Sequence, residues 1–364
     1  MKFKQTVLLA TFVVTMGLLL GASATQAATV IKVAADGDTL PDGTILKSIA
    51  LDGGVAINLD GKVAFGGKED TGATYTDAAF TQDGKVVAEG DTLPDDTILP
   101  WFRQRGQVAI SAGQSVDTVA FHGIANTGAT YTAAVFTQDG VVAAVGDTLA
   151  EGTLNQINDS GKVAINNWNE VAFHGSVKIE SDPEDFRAVF ISDGLDTLVV
   201  AREDTNLPDD TSLDNITESG RVAINDMGEV AFHGQTVDPV SGVLLLAVFT
   251  QNGLVAKMGD ILPDGTTLEN INDNGGVAIN LFGHVAFLGL VYVPAIDGKV
   301  KAVFTQNGLV AKVGDILDDS TTLQDIFDWS GVAINPYGSE VAFLGAGVPT
   351  AAVFVGQAPL PPAP

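Results

Sequence analysis

The chain of 364 residues lacks cysteine and is poor in basic residues. The absence of cysteine excludes disulfide bonds and thiolate ligands for a metal. Only 18 Lys and Arg stand against 45 Asp and Glu, which gives a formal net charge of −27. An electrostatic field of this sign repels nucleic acids and anionic membranes, so we expect neither as a partner.

Long apolar runs are also lacking, apart from one at the N-terminus. Lys2 and Lys4 precede an uncharged apolar stretch at residues 7–21, and small residues follow up to Ala27. This order is typical of a signal peptide, and the stretch is short for a membrane anchor. We therefore expect residues 1–28 to be removed on export, and the mature chain to be secreted without a membrane span. The remaining chain divides into one domain at 29–356 and a Pro-rich tail at 357–364.

What the chain does contain is one pattern that occurs six times, about 55 residues apart. The pattern is Val-Ala-Ile-Asn, a short turn and Val-Ala-Phe, and its second copy is degenerate. Its first halves lie at 55–58, 108–111, 163–166, 222–225, 277–280 and 332–335. Two further strand-like runs follow each copy and are joined by Asp-Gly or Asn-Gly, which favours a tight hairpin. Each repeat therefore predicts four antiparallel strands.

The two ends of the chain predict how the repeats close. Residues 29–34 resemble a lone fourth strand, and residues 351–355 resemble a lone third strand. Each end supplies the strand that the other lacks, and a closed ring removes exposed sheet edges. We therefore predict an all-β fold: a six-bladed β-propeller of four-stranded repeats, closed by pairing of the N-terminal strand with the C-terminal strand. A linear β-solenoid or a string of small β-units is the alternative.

The first and second strands carry a recognisable motif. Asn58, Gly61, Ala64 and Phe65 form Asn-x-x-Gly-x-x-Ala-Phe, and the motif returns intact at 225–232 and 280–287. The chain thereby resembles the bacterial exported "choice-of-anchor tandem repeat NxxGxxAF" family. That resemblance implies export and carries no established activity. We expect the Phe of each Val-Ala-Phe to belong to the core.

Ligand-binding candidates are sought where the repeats diverge. The loops between the second and third strands differ most, and the first two expose Tyr75 and Tyr131. Divergent loops on a constant frame are a usual place for a binding surface. The acidic connections between repeats are expected on the same face as these loops.

Ca²⁺ is a possible cofactor, because oxygen-rich clusters can supply its 6–8 ligands. Asx turns explain the same acidic pieces equally well. The metal candidates are Asp36, Asp38 and Asp42 in the first acidic connection, and Asn58, Asn166, Asn225, Asn280 and Asn335 at the ends of the first strands.

No catalytic set is evident in the sequence. His122, His174 and His233 recur after Val-Ala-Phe, but equivalent positions of neighbouring repeats are expected to lie too far apart to share one metal ion. The sequence therefore favours a non-enzymatic binding or scaffolding module of the cell surface or extracellular matrix, with a protein or a glycan as partner. The alternative is a propeller hydrolase or lactonase with Ca²⁺ in a central channel.

Overall fold

The computed structural model describes residues 33–358 with short gaps, and within them the fold is all-β. The gaps are 51–54, 59–61, 73, 103–107, 112–116, 127, 129, 159–161, 183, 218–219, 318–319, 329–330, 336–339 and 347–350. The described residues contain no α-helix and one short 3-10 helix, Pro294–Ile296. The predicted signal peptide, most of the N-terminal strand and most of the Pro-rich tail lie outside the described residues.

Each repeat forms one unit of the structure, and the units are numbered one to six along the chain. The second strand of each unit, which contains Val-Ala-Phe, lies inside a small antiparallel sheet. These strands are Val63–Asp70, Thr118–Asn126, Val171–Lys178, Val230–Val237, Val285–Val293 and Glu340–Ala346. On one side each pairs with the third strand of its unit. The third strands are Tyr75–Thr81, Tyr131–Thr137, Asp185–Ser192, Leu244–Thr250, Gly298–Thr305 and Ala351–Gln357. The predicted third strand at the C-terminus is therefore present and pairs with the second strand of its unit. Its pairing with the N-terminal strand stays a prediction.

The fourth strand follows across a tight turn and forms the far edge of the sheet. The fourth strands are Gly84–Ala88, Gly140–Ala144, Thr197–Arg202, Gly253–Lys257 and Gly308–Lys312. All five of these turns contain a glycine with positive φ directly after Asp or Asn, as the hairpin signal predicts. Units one to five thus each have the predicted third-to-fourth hairpin.

The first strand is divided into two segments, which the repeat pattern did not predict. The inner strands carry Val-Ala-Ile and pair with the first half of the second strand; they are Val55–Ile57, Ala109–Ser111, Ala164–Ile165, Val222–Ile224, Val277–Ile279 and Val332–Ile334. The leading segments lie at the preceding Leu-x-x-Ile step and pair with the second half of the second strand. They are Leu46–Ile49, Ile98–Phe102, Gly152–Ile157, Ser212–Leu213 with Asn215–Ile216, Leu268–Ile271 and Asp325–Ile326.

The core lies between successive sheets. The Phe of every Val-Ala-Phe is buried and stacks on the Phe of the third strand, as Phe232 does on Phe249 with ring centroids 5.7 Å apart. One apolar cluster joins Ala231 and Val248 of unit four to Phe287 and Phe304 of unit five. The predicted core role of these phenylalanines is confirmed.

The inner strands of consecutive units contact one another from unit one to unit six. They therefore form a continuous inner edge of the repeat array, as predicted for the Val-Ala-Ile strand. Every site described below is placed relative to this edge.

The acidic connections do not stay beside the divergent loops, so that expectation is wrong. In units one, two, five and six, residues 38–45, 91–98, 260–267 and 315–322 form short arms, each closed by a β-bridge. At the tip of the first arm Asp42 Oδ2 accepts a hydrogen bond of 2.8 Å from Lys85 N, beside the turn into the fourth strand. Asp95, Asp209 and Asp264 make the same contact with Val141, Leu254 and Leu309. The arm tips thus reach the end of the sheet opposite the divergent loops.

Candidate functional site

The predicted asparagines form a ladder that joins neighbouring units. The Nδ2 atoms of Asn166, Asn225 and Asn280 each donate to the backbone carbonyl of the next asparagine in this series, at 3.0, 2.8 and 3.2 Å, so that the last bond ends on Asn335. In unit one, Asn58 Nδ2 donates instead to the carbonyl of Ser111 at 3.2 Å. The ladder follows the inner edge at the ends of the inner strands.

Each ladder asparagine also holds its own turn. Asn225 Oδ1 accepts hydrogen bonds from the backbone N–H groups of Met227 and Glu229, both at 2.9 Å. Its Nδ2 also donates to the Glu229 carboxylate at 2.8 Å. Asn166, Asn280 and Asn335 likewise accept from the backbone four or five residues ahead. The amides predicted as metal ligands therefore hold backbone in place, and their ligation of Ca²⁺ stays a prediction.

The three aspartates predicted as metal ligands also bind backbone. Asp36 accepts from Ile49 N at 2.8 Å, and Asp38 from Ala35 N at 2.9 Å. Burial opposes the charge of Asp42, but the N–H groups of Thr44 and Lys85 outweigh it and lower the pKa of the carboxyl. In the described part of the chain, no three His, Asp or Glu side chains form a group that could hold a metal ion.

The two predicted binding tyrosines have different surroundings. Tyr75 is exposed, but Lys47 Nζ lies over its ring at 4.7 Å from the centroid. Tyr131 is exposed and lies beside Trp101, with ring centroids 5.0 Å apart and ring planes at 52°. The structure therefore places Tyr131 in an aromatic pair, and the sequence analysis had missed Trp101.

A basic cluster lies at the inner edge of units three and four, directly before the inner strands. Lys162 and Arg221 occupy the position that is glycine in units one, five and six. Arg221 is 7% exposed and reaches across to unit six, because a Cβ atom on Gly331 would lie 3.1 Å from Arg221 Nη1. The glycines thus leave room for the side chain of Arg221.

Burial changes the protonation of this cluster. It lowers the pKa of Lys162 to about 6, and the nearby charge of Arg221 adds to that effect. It lowers the pKa of Arg221 to about 10, so the guanidinium keeps its charge. A lysine with a pKa near 6 is mostly a neutral amine at neutral pH, which can accept a proton.

Two of the recurring histidines border the cluster. Burial, with the charges of His174 and Arg221, lowers the pKa of His233 to about 3, and burial lowers the pKa of His174 to about 4. His174 lies beside the backbone of Gly220, and Gly220 packs against His233 Cβ. Both imidazoles are therefore neutral at neutral pH.

Sequence reasoning missed Lys162 and Arg221, although a signal was available. The residue before Val-Ala-Ile is glycine in half of the units, so the fold does not need a side chain there. A basic residue at that place breaks the repeat at the inner edge. Such a break is the kind of departure that separates a functional position from a structural one.

Comparison with known proteins gives one partial family match. Residues 118–290 match a family described as "Family of unknown function (DUF7453)". That match covers less than half of the chain and does not bear on the NxxGxxAF resemblance. No curated protein matches the chain.

Solved structures of similar arrangement are glycoside hydrolases. They include the α-L-arabinofuranosidase of Fusarium graminearum, at 12% identity and a TM-score of 0.38, with 83% of this chain and 91% of that chain covered. The α-L-arabinanase of Penicillium chrysogenum has 10% identity and a TM-score of 0.37, with 89% of this chain and 97% of that chain covered. An endo-arabinase of Bacteroides thetaiotaomicron has 10% identity and a TM-score of 0.30, with 70% of this chain and 94% of that chain covered. The described residues themselves show an all-β fold.

The expectation of a non-enzymatic binding or scaffolding module is corrected by these comparisons. The solved structures similar to the chain are enzymes, which overturns both that function and the prediction that the protein is not an enzyme. None of the helices in the described residues is long and apolar enough to cross a membrane.

Proposed function

We propose that the protein is an exported propeller hydrolase whose reaction centre lies at the inner edge of units three and four. The observation that carries the proposal is the replacement of glycine by Lys162 and Arg221 at that edge. Three units have glycine at this position, so the two basic side chains are not needed for packing. Functional residues in a repeat array are expected where one or two units depart from the others.

The proposal includes a ring of six blades around a central channel. Two observations support it: the inner strands contact each other from the first unit to the sixth, and Arg221 of unit four reaches Gly331 of unit six. Among the described residues Ala351–Gln357 pairs along one side only, with Glu340–Ala346. Residues 29–34 would pair with its other side and complete the sixth blade.

The chemistry of the two basic groups favours hydrolysis of an ester or a lactone. Lys162 is a neutral amine above a pKa of about 6 and is partly exposed, so it would take a proton from the attacking water. Arg221 stays charged and would stabilise the oxyanion that forms on the carbonyl oxygen. A substrate with a carboxylate near the scissile bond would gain from the same positive charge.

Calcium has no role in this proposed reaction. The positive charge of the Arg221 guanidinium repels a cation near the reaction centre. The amides predicted as metal ligands lie at the other end of the inner strands, as Asn225 does after Val222–Ile224. The ladder amides next to the inner strands are engaged with backbone groups. Any Ca²⁺ bound by Asp36, Asp38 or Asp42 would lie outside the reaction centre.

The test is an activity screen of the purified protein with matched variants. The substrates are 4-nitrophenyl acetate, δ-valerolactone, glucuronolactone and 4-nitrophenyl α-L-arabinofuranoside. We expect hydrolysis of an ester or lactone, with kcat/KM rising with pH through an apparent pKa near 6. Lys162→Met and Arg221→Met should each lower kcat/KM by about 100-fold or more.

Lys299→Met is the control, because it removes a lysine from the exposed third strand of unit five. It should leave kcat/KM unchanged. Cleavage of the arabinofuranoside alone, unaffected by Lys162→Met, would overturn this mechanism. Absence of any turnover by the folded protein would overturn the proposed function.

A further inference from the structure

The leading segment and the third strand make one recurring side-chain contact across the second strand. In unit three, Asn155 Nδ2 donates to Asp185 Oδ2 at 2.8 Å. In unit five, Lys299 Nζ lies 3.0 Å from Glu269 Oε2. In unit one the contact joins Lys47 to the ring of Tyr75. In these three units at least one partner is polar or charged, and unit four has Leu244 at the third-strand position.

Unit two replaces this contact by two aromatic rings. Tyr131 occupies the position of Asp185 and Lys299, three residues before the conserved Ala of the third strand. Its partner is Trp101, which lies two residues after Leu99. The pairing register shifts between Ile98 and Trp101, around Pro100, as it does at the same place in units one, three and five. A proline commonly accompanies such an irregularity, since it cannot donate to the ladder. Pro100 takes the position of Lys47, Asn155 and Glu269, and the contact in unit two is made by the next residue, Trp101.

Both rings face solvent. Trp101 is 51% exposed and Tyr131 is 62% exposed, although their centroids are only 5.0 Å apart. The pair thus buries little of its own apolar surface, and the other units show that the fold does not require it. An exposed aromatic cluster at a position where related units are polar indicates a binding surface.

Size and charge select the kind of ligand. Two rings are too small to anchor a stable protein interface, which buries about 1,200 Å² or more. Nucleic acid bases also stack on aromatic rings, but the net charge of −27 repels a phosphate backbone. A sugar ring presents C–H groups to an aromatic face and keeps its hydroxyls in water, which suits the half-wet rings of Trp and Tyr.

We propose that Trp101 and Tyr131 form a stacking platform for a saccharide ring of the substrate. The inference rests on the proposed function for its role, since it makes the hydrolysed ester or lactone part of a carbohydrate. The platform lies at the divergent-loop end of unit two and would hold a sugar at a distance from the bond that is cleaved. Tyr75 is not part of it, because Lys47 covers the face of that ring.

The experiment measures binding without turnover. Cellohexaose, xylohexaose and arabinohexaose are titrated into the protein, with tryptophan fluorescence and calorimetry as readouts. We expect one of them to bind and to change the emission of Trp101. Trp101→Ala and Tyr131→Ala should each weaken that binding by more than 10-fold, and Trp101→Phe should retain most of it.

Two variants serve as controls for exposed aromatic residues elsewhere. Trp168→Ala removes a tryptophan that is 61% exposed, and Tyr75→Ala removes the tyrosine of unit one. Both should bind the oligosaccharide like the original protein, and circular dichroism confirms that every variant is folded. The inference is wrong if no hexasaccharide binds, or if Trp101→Ala binds as well as Trp168→Ala.

The two proposals fail in different ways. Lys162→Met should abolish hydrolysis and leave saccharide binding intact. Saccharide binding in a protein without hydrolytic activity would support the platform and overturn the reaction. Hydrolysis that is unchanged in Trp101→Ala, together with absent saccharide binding, would support the reaction and overturn the platform.

Discussion

The side-chain amide of Asn225 donates a hydrogen bond of 2.8 Å to the backbone carbonyl of Asn280, in the next unit of the chain. The same side chain accepts from Met227 N and Glu229 N. One buried amide therefore fixes its own turn and joins two units. Removing it takes the acceptor from the N–H groups of Met227 and Glu229 and breaks the bond between the two units.

We expect Asn225→Ala to lower the free energy of unfolding by about 2–4 kcal/mol, because each buried polar group left unpaired costs about 1–3 kcal/mol. Urea unfolding followed by circular dichroism measures the loss. Asn252→Ala removes an exposed turn asparagine and should change stability by less than about 1 kcal/mol. Equal losses in the two variants would show that the ladder bond is not what stabilises the turn.

Phe232 gives a prediction about the core. It is fully buried and stacks on Phe249. Phe232→Ala should cost about 3–5 kcal/mol, from lost burial and the cavity that remains. Phe282→Ala removes a phenylalanine that is 62% exposed and serves as the control, with an expected cost below about 1 kcal/mol. A loss within 1 kcal/mol for Phe232→Ala would contradict the placement of the core between the sheets.

His233 gives a prediction about pH. Its pKa is lowered to about 3 in the folded protein, from an ordinary value of 6.5. Below pH 6.5 the unfolded chain binds a proton that the folded protein does not, so stability falls as the pH is lowered from 6.5 toward 3. One such group contributes a slope of up to about 1.4 kcal/mol per pH unit.

We expect His233→Leu to flatten this dependence, since Leu288 and Leu344 occupy the same position in units five and six. Unfolding free energies measured between pH 4 and 7 compare the variant with the original protein. His284→Leu is the control, because His284 lies in a turn. An unchanged slope in His233→Leu would show that this imidazole is not kept neutral by burial.

Gly253 and Asp209 give a prediction about the arms. Gly253 has a φ of 149°, and a Cβ atom there would lie 2.2 Å from Asp209 Cγ. Gly253→Ala should therefore destabilise the protein by about 2 kcal/mol or more, through steric overlap and backbone strain. Gly194→Ala, in the corresponding turn of unit three, meets no atom within 4 Å and should cost only the strain of positive φ.

A double-mutant cycle separates the contact from the strain. Asp209→Ala removes the neighbour that the new Cβ would strike, so it should recover part of the loss in Gly253→Ala. Additive effects of the two substitutions would contradict a direct contact between the arm tip and the hairpin turn. The readout is again the free energy of unfolding in urea.

The sequence predicted those parts of the fold that depend on local pattern. Val-Ala-Phe, a Gly turn and a second apolar run are enough to place the second, third and fourth strands and to bury Phe232. The division of the first strand was not predictable in this way, because the leading segment pairs through a register shift. No residue pattern in the repeat marks the position of that shift.

Contacts between residues far apart in the sequence were the second feature that could not be predicted. The contact between Asp42 and Lys85 spans 43 residues, and no short motif announces it. The repeats nevertheless held a signal: unit three has a shorter arm without this aspartate, and a differently built turn at Gly194. Comparing which positions change together among the six copies would have linked the arm to the turn.

The ladder has a consequence for the history of the chain. Each asparagine recognises a backbone carbonyl of the following unit, a group that every amino acid possesses. Any copy can therefore follow any other without a matching side-chain change. Duplication or deletion of a whole unit within the gene would preserve the link at each new junction, so descendants of one ancestral repeat can differ in copy number while keeping the same joint.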